Sequence, residues 1–175
     1  RDKISLAFYK SFLFRDLLGI VTTSLANMAE SRDPETGRHL YRMANYSLLV
    51  AKRLKEKGVY PKDIDQNFID NILVTAPMHD IGKVAVPDEV LLKQGKLTDE
   101  EFELIKQHPQ AGAKVLMGLH QEFKKYNIEY FQMAADIAIG HQEKFDGSGY
   151  PFGTSGNEIP LSARICAVSD VFDAL

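Results

Sequence analysis

His79-Asp80-Ile81-Gly82-Lys83 is the stretch on which the reading of this chain turns. It places an imidazole, a carboxylate and a lysine around a glycine, at the end of a segment with helical periodicity. That segment starts after Pro61-Lys62-Asp63 and carries Phe68, Ile69, Ile72, Leu73 and Ala76 inward. Imidazole and carboxylate side chains together suit borderline divalent metals. A carboxylate beside a histidine ligand can bridge two cations, because each of its oxygens can bind one.

Working outward, the rest of the chain reads as helix after helix, with no convincing alternation of a strand. Residues Ile4 to Ala29 form one long predicted helix, with Phe12, Leu17, Ile20, Leu25 and Met28 among its apolar positions. It either joins the domain to an upstream module or packs on the core. Asp33-Pro34-Glu35 is a helix start, since Asp33 can cap free N–H groups and Pro34 suits the first turn. That helix runs to about Lys57 and stops at Gly58. Thr98 and Glu101 make a capping box. The helix they open breaks at His108-Pro109, and a new one starts at Pro109. Another helix spans about Ile128 to His141, and the last begins near Pro160 with Ile165, Val168 and Phe172. Between them lies a loop too rich in breakers to be regular, Asp146-Gly147-Ser148-Gly149-Tyr150-Pro151-Phe152-Gly153. Gly147 and Gly149 are expected to serve backbone angles that other residues avoid.

Four of the five histidines stand at special places. His39 follows Glu35 by one helical turn, so both project from one face. His79 leads the central motif, His108 sits at a helix break, and His141 precedes the glycine-rich loop. Asp170 lies on the last helix, with Asp173 one turn later. Arg42, one turn after His39, is placed to hold a carboxylate behind the ligands or to form a surface ion pair. His120 fits no pattern and reads as a surface residue. Each of these residues alone is weak as a ligand; the joint pattern carries the argument.

Composition limits the alternatives. The chain has 175 residues, 45% of them hydrophobic and 26% charged, which is enough for one domain with a full core. A net charge of −3 argues against a broad basic surface for nucleic acid polymers. Cys166 is the only cysteine, so no internal disulfide can form, and it reads as a small core residue. This fits a reducing, cytoplasmic setting. No apolar stretch is long enough to span a bilayer and no signal peptide is visible. The chain opens with Arg1 and stops at Leu175 inside an apparent helix, as a fragment of a longer protein would.

The motifs, taken in order, resemble the HD superfamily of metal-dependent phosphohydrolases and its HD-GYP branch. His79-Asp80-Ile81-Gly82-Lys83 looks like the superfamily signature. Glu35-Thr36-Gly37-Arg38-His39-Leu40-Tyr41-Arg42, His108-Pro109 with Gly112, the segment His141 to Pro151, and Asp170-Val171-Phe172-Asp173-Ala174-Leu175 are similar to the branch's remaining motifs. The resemblance runs from about Asp33 to the last residue.

The resemblance implies an all-α fold: an HD-type helical bundle over residues 32–175, preceded by a leading helix over 1–31. It implies hydrolysis of cyclic di-GMP with two or three divalent metal ions, iron or manganese first, with zinc, nickel or magnesium as further options. His39, His79, Asp80 and Asp170 would bind one metal, with Asp80 bridging to a second served by His108 and His141. Glu35 matches a position that supports a third metal in some members. Lys83 matches a lysine near the scissile phosphate, where it would offset developing charge. Gly149, Tyr150 and Pro151 match the loop that shapes the substrate end of the pocket, and Tyr150 can stack on a guanine or pack under the loop. The chain departs from the family at Gln142, where a second histidine is usual. An amide oxygen is a weaker ligand than imidazole, so this site either takes a water instead or changes its metal preference. That departure favours a second reading, a weak or inactive domain that senses a cyclic dinucleotide or binds a partner. The family's basic contacts beyond the closing motif would lie past Leu175. The leading helix would suit a homodimer or a link to an upstream sensory or receiver domain.

Overall fold

The computed structural model describes residues 17–30, 38–126, 128 and 130–175. Residues 17–30 are helical, here α1. Of the large apolar residues of α1, Leu18 packs against the core, while Leu17, Ile20, Leu25 and Met28 are 47–69% exposed. The buried face is made of Thr22, Ala26, Ala29 and Glu30. Small side chains let the helix lie close against its neighbours, and one hydrogen-bond relay fastens it. The Tyr130 hydroxyl lies 2.8 Å from Thr22 Oγ1 and donates to the Val74 carbonyl at 3.0 Å.

Helix α2 (Arg38–Glu56) buries His39, Leu40, Met43, Ala44, Ser47 and Ala51 along one stripe. Its stop is the one expected: Gly58 adopts a left-handed φ of 65° and its N–H reaches the Lys55 carbonyl. Helix α3 (Gln66–Thr75) is capped by Asp65, which accepts from the Phe68 N–H at 2.7 Å. Ile69, Ile72 and Ala76 are buried as expected, but Leu73 is 36% exposed. Pro77 then tightens the chain into a 3-10 turn, Ala76–Met78, and a second 3-10 turn spans Ile81–Ala85. His79 and Asp80 occupy the joint between the two turns.

A short helix, α4 (Asp88–Leu91), precedes α5 (Asp99–Ile105), whose capping box is formed on both sides by Thr98 and Glu101. Helix α6 (His108–Lys124) and helix α7 (Tyr130–Gly140) form the most extensive helix pair, and α8 (Leu161–Ala174) closes the bundle against α2 and α7. The described residues hold no strand, so the architecture is all-α.

Three buried groups fill the interior, the smallest made of Met43, Ala76, Ile137 and Cys166. Met78, Leu116, Tyr130, Phe131, Ala134, Ala135 and Ala138 pack between α6, α7 and the first 3-10 turn. Ala51, Ile64, Ile69, Ile72 and Ile165 pack between α2, α3 and α8. Cys166 is fully buried, as expected of a core residue, beside Met43. On α8 the inward stripe is Ser162, Ala163, Ile165, Cys166 and Ser169, while Val168 and Phe172 are more than 60% exposed. The reason is close packing: a Cβ on Gly140 of α7 would meet the Ala163 Cβ at 2.9 Å. Large residues do not fit at that crossing.

His120 corrects its sequence reading. It is buried on the inward face of α6. The residues His108, Gly112, Leu116 and His120 recur every fourth position on α6, and this stripe faces inward. No helix among the described residues is long and apolar enough to cross a membrane.

Candidate metal centre

The central motif meets α6 through a contact between two glycines. A Cβ on Gly82 would lie 1.9 Å from the His108 carbonyl oxygen and 2.5 Å from the Gly112 N, and a Cβ on Gly112 would lie 3.1 Å from the Gly82 N. Only glycine allows this approach. It brings the joint carrying His79 and Asp80 against the first turn of α6, which carries His108. The end of α7 adds His141, α2 adds His39 and α8 adds Asp170.

These side chains form two groups of three. His39, His79 and Asp170 make one, and Asp80, His108 and His141 make the other; within each, one ligand atom per residue lies within 4.8 Å of the others. Asp170 Oδ1 is 3.3 Å from His39 Nε2 and 3.8 Å from His79 Nε2. Asp80 Oδ1 is 3.1 Å from His108 Nε2 and 3.3 Å from His141 Nε2. The other oxygen of Asp80, Oδ2, is 3.2 Å from His79 Nε2. Each oxygen of Asp80 therefore faces a different group.

The rings are held from behind. Nδ1 of His79 lies 3.2 Å from the Ala76 carbonyl, Nδ1 of His108 lies 2.7 Å from the Ile105 carbonyl, and Nδ1 of His141 lies 3.0 Å from the Ala138 carbonyl. Nδ1 of His39 lies 2.6 Å from Asp173 Oδ2. A carbonyl or carboxylate oxygen can only accept, so Nδ1 carries a proton, and in the neutral ring Nε2 turns its lone pair inward. His79 Nε2 and Asp80 Oδ1 are fully buried and receive no hydrogen bond. Buried lone pairs that converge without a proton between them are costly unless a cation satisfies them. The donor set, imidazole nitrogen and carboxylate oxygen, fits divalent metals.

Electrostatics point the same way. Burial favours neutral Asp80, but the His79 charge and the rings of His108 and His141 outweigh it and hold the carboxyl well below its usual range. Burial also opposes ionisation of Asp170, yet His39 and His79 keep its pKa lowered. Both carboxylates are thus anionic at neutral pH. Burial disfavours a charged His79, and the negative charge of Asp80 overcomes this and raises its pKa; for His141 burial prevails and lowers it.

Lys83 lies 2.9 Å from Asp80 Oδ2 through Nζ, at the rim of the cluster. Glu30 of α1, buried, stands 3.7 Å from the same ammonium. The sequence reading did not single out Glu30; a lone acid near the end of an apolar helix carries no signal. Arg42 does hold a carboxylate behind His39: Nε and one terminal nitrogen each donate to Asp173, both at 2.7 Å. The shared one-turn spacing of His39 with Arg42 and of Asp170 with Asp173 is the signal that could have found Asp173.

The glycine-rich loop folds back over His141. The Tyr150 N–H donates to the Gln142 carbonyl at 3.2 Å, and the Phe152 N–H donates to buried Glu143 at 2.8 Å. Gly147 has the left-handed φ expected, 81°. Gly149 is needed for a different reason, because its Cβ would lie 2.3 Å from the Lys144 N. Tyr150 stands edge-on to His108 with ring centroids 6.2 Å apart, so the loop walls the cluster on that side. Burial, with Asp80 adding to it, pushes the Tyr150 phenol up to about 12. Glu35, expected as a further ligand, lies outside the described residues.

Comparison with known proteins agrees with the geometry. The family model described as HD domain matches residues 23–175. A cyclic di-GMP phosphodiesterase of Vibrio cholerae is 43% identical over 156 residues, covering 89% of this chain and 31% of its own length. The cyclic di-GMP phosphodiesterase response regulator RpfG of Xanthomonas campestris is 44% identical over 151 residues, covering 86% and 36%. A 3'3'-cGAMP-specific phosphodiesterase 2 of Vibrio cholerae is 39% identical over 152 residues, covering 87% and 26%. The chain thus spans about a third or less of these relatives. With the two His/Asp groups in place and the family model covering most of the chain, the protein belongs to the HD domain family, the superfamily of metal-dependent phosphohydrolases.

Proposed function

We propose that this domain is a metal-dependent phosphodiesterase acting on cyclic di-GMP. The observation that carries the reading is Asp80, whose two oxygens each face a separate His/Asp group 3.1–3.3 Å away. The relatives named as cyclic di-GMP phosphodiesterases support the substrate.

His39, His79 and Asp170 would hold one divalent cation and Asp80, His108 and His141 a second, with Asp80 bridging; Glu35 is assigned to a third. Iron or manganese suits this donor set best, ahead of zinc, nickel or magnesium. Such a pair of cations supplies an activated water at neutral pH and clamps the oxygens of a phosphoryl group. The chain's own residues do the rest. Lys83 sets a positive charge beside Asp80, where it would meet a phosphate oxygen and offset the charge that grows in the transition state. Gly149, Tyr150 and Pro151 would border the substrate, with the Tyr150 ring available to a purine face. The anchored Nδ1 atoms keep each imidazole aimed, so little reorganisation is needed during turnover.

The test is to purify the protein without oxygen, measure its metals, and assay cyclic di-GMP with iron or manganese. Turnover with about two or more metals per chain, both abolished in Asp80→Ala, is the expected result. Full turnover in that variant would overturn the bridging role.

Gln142 favours one second reading, a domain that binds a cyclic dinucleotide with little or no turnover. Metal content together with hydrolysis separates the two. The 3'3'-cGAMP-specific relative makes that dinucleotide the competing substrate to assay. A homodimer through the leading helix and an upstream sensory module belong to the same proposal, in a cytoplasmic setting.

A further inference from the structure

We infer that Asp173 and Arg42 are positioning residues for His39, and that they make the His39–His79–Asp170 group the tighter cation site, so it fills first. The inference rests on the metal-dependent reading above and extends it to an order of loading.

The anchoring of the four imidazoles is unequal. His79, His108 and His141 each lean Nδ1 on a backbone carbonyl. His39 leans on a carboxylate, Asp173, at 2.6 Å, the shortest of the four contacts. A carbonyl fixes the tautomer and the aim of the ring but carries no full charge. A carboxylate carries a full negative charge, draws the Nδ1 proton toward itself and leaves Nε2 a stronger donor. Each group holds two imidazoles and one carboxylate of its own, and Asp80 turns one oxygen to each.

Asp173 is built for this task. Its side chain is 3% exposed, and the Arg42 guanidinium binds both of its oxygens in a fork at 2.7 Å each. The fork fixes the plane of the carboxylate, and with it the rotation of the His39 ring. Helix geometry makes the arrangement compact. His39 and Arg42 are one turn apart on α2, Asp170 and Asp173 one turn apart on α8, and the four meet across a single helix seam.

The experiment titrates the metal-free protein with Mn2+ in a calorimeter and follows free Mn2+ by electron spin resonance. The wild-type protein should take up manganese in two steps, one tight and one weaker. The tight step is assigned by showing that it survives in His108→Ala. Asp173→Asn keeps the size and removes the charge; it should weaken the tight step about 10–100-fold and leave the weaker one unchanged. Arg42→Gln, at a half-exposed site, should weaken the same step by less and serves if Asp173→Asn fails to fold. Two steps unchanged in both variants, or a loss confined to the step that His108→Ala removes, would overturn the inference. Wild-type protein that takes up no metal would instead overturn the metal-dependent reading itself.

Discussion

His79 and Asp80 are chain neighbours that serve opposite sides of one cluster. His79 Nε2 faces Asp170 while Asp80 Oδ1 faces His108 and His141, and the pair stays in contact through Asp80 Oδ2 at 3.2 Å. A regular helix would send adjacent side chains about 100° apart around its axis. The joint between two 3-10 turns turns both toward one point instead. A peptide unit thus does what two separate elements do in many metal sites.

Gly82→Ala should separate the central motif from α6. The new methyl would sit 1.9 Å from the His108 carbonyl oxygen, so backbone must move. A loss of about 3 kcal/mol or more is expected, larger than usual overpacking because no side chain can yield. Thermal melting and metal content report it. An unchanged melt with full metal content would refute the close approach.

Lys83→Met should split binding from turnover. Removing a cation 2.9 Å from Asp80 leaves that carboxylate free for other cations, so metal affinity should hold or rise. The loss of a charge aimed at the phosphate should lower kcat about 100-fold or more. Parallel loss of metal and activity would show Lys83 to be structural.

Tyr150 is a test of pH dependence. Its phenol is pushed up to about 12, first by burial and then by Asp80. A raised pKa on an acid means the neutral form persists, so Tyr150 is protonated throughout pH 6–9. Tyr150→Phe should therefore leave the shape of the pH–rate profile unchanged over that range. Tyr150→Ala, which removes the ring, should raise KM. A profile that shifts with Tyr150→Phe would assign the hydroxyl a titrating role it does not have here.

Tyr130→Phe probes the docking of α1. It removes the relay between Thr22 and the Val74 carbonyl and should cost about 1 kcal/mol, since Thr22 keeps the Leu18 and Gly19 carbonyls as partners. Limited proteolysis should then cut α1 sooner than in the wild-type protein. Equal cleavage rates would place the strength of that docking elsewhere.

Much of this was legible in the chain before any coordinates. Breakers and caps have local causes, so Gly58, the Thr98–Glu101 box and the start of α6 near Pro109 were readable. The members of both His/Asp groups were also readable, because imidazole and carboxylate recur together at spaced helix ends. What escaped was long-range. The inward faces of α1 and α8 are lined by small residues, so a search for large apolar side chains chose Leu25, Met28, Val168 and Phe172, which are exposed. Glu30 and the buried His120 owe their places to neighbours far away in sequence, and nothing adjacent to them in the chain marks it; the spacing of Asp173 from Asp170 was visible, but its contact with His39 was not.

The contact of Gly140 with Ala163 has a consequence for the cluster. Gly140 directly precedes His141, and Ala163 stands two turns before Asp170 on α8. One member of each triad is therefore measured from a shared origin, His141 by a single peptide and Asp170 by about 10 Å of helix. The gauge between the two His/Asp groups is written into rigid lengths of main chain, and the protein need not tune it through the softer rotamers of its interior.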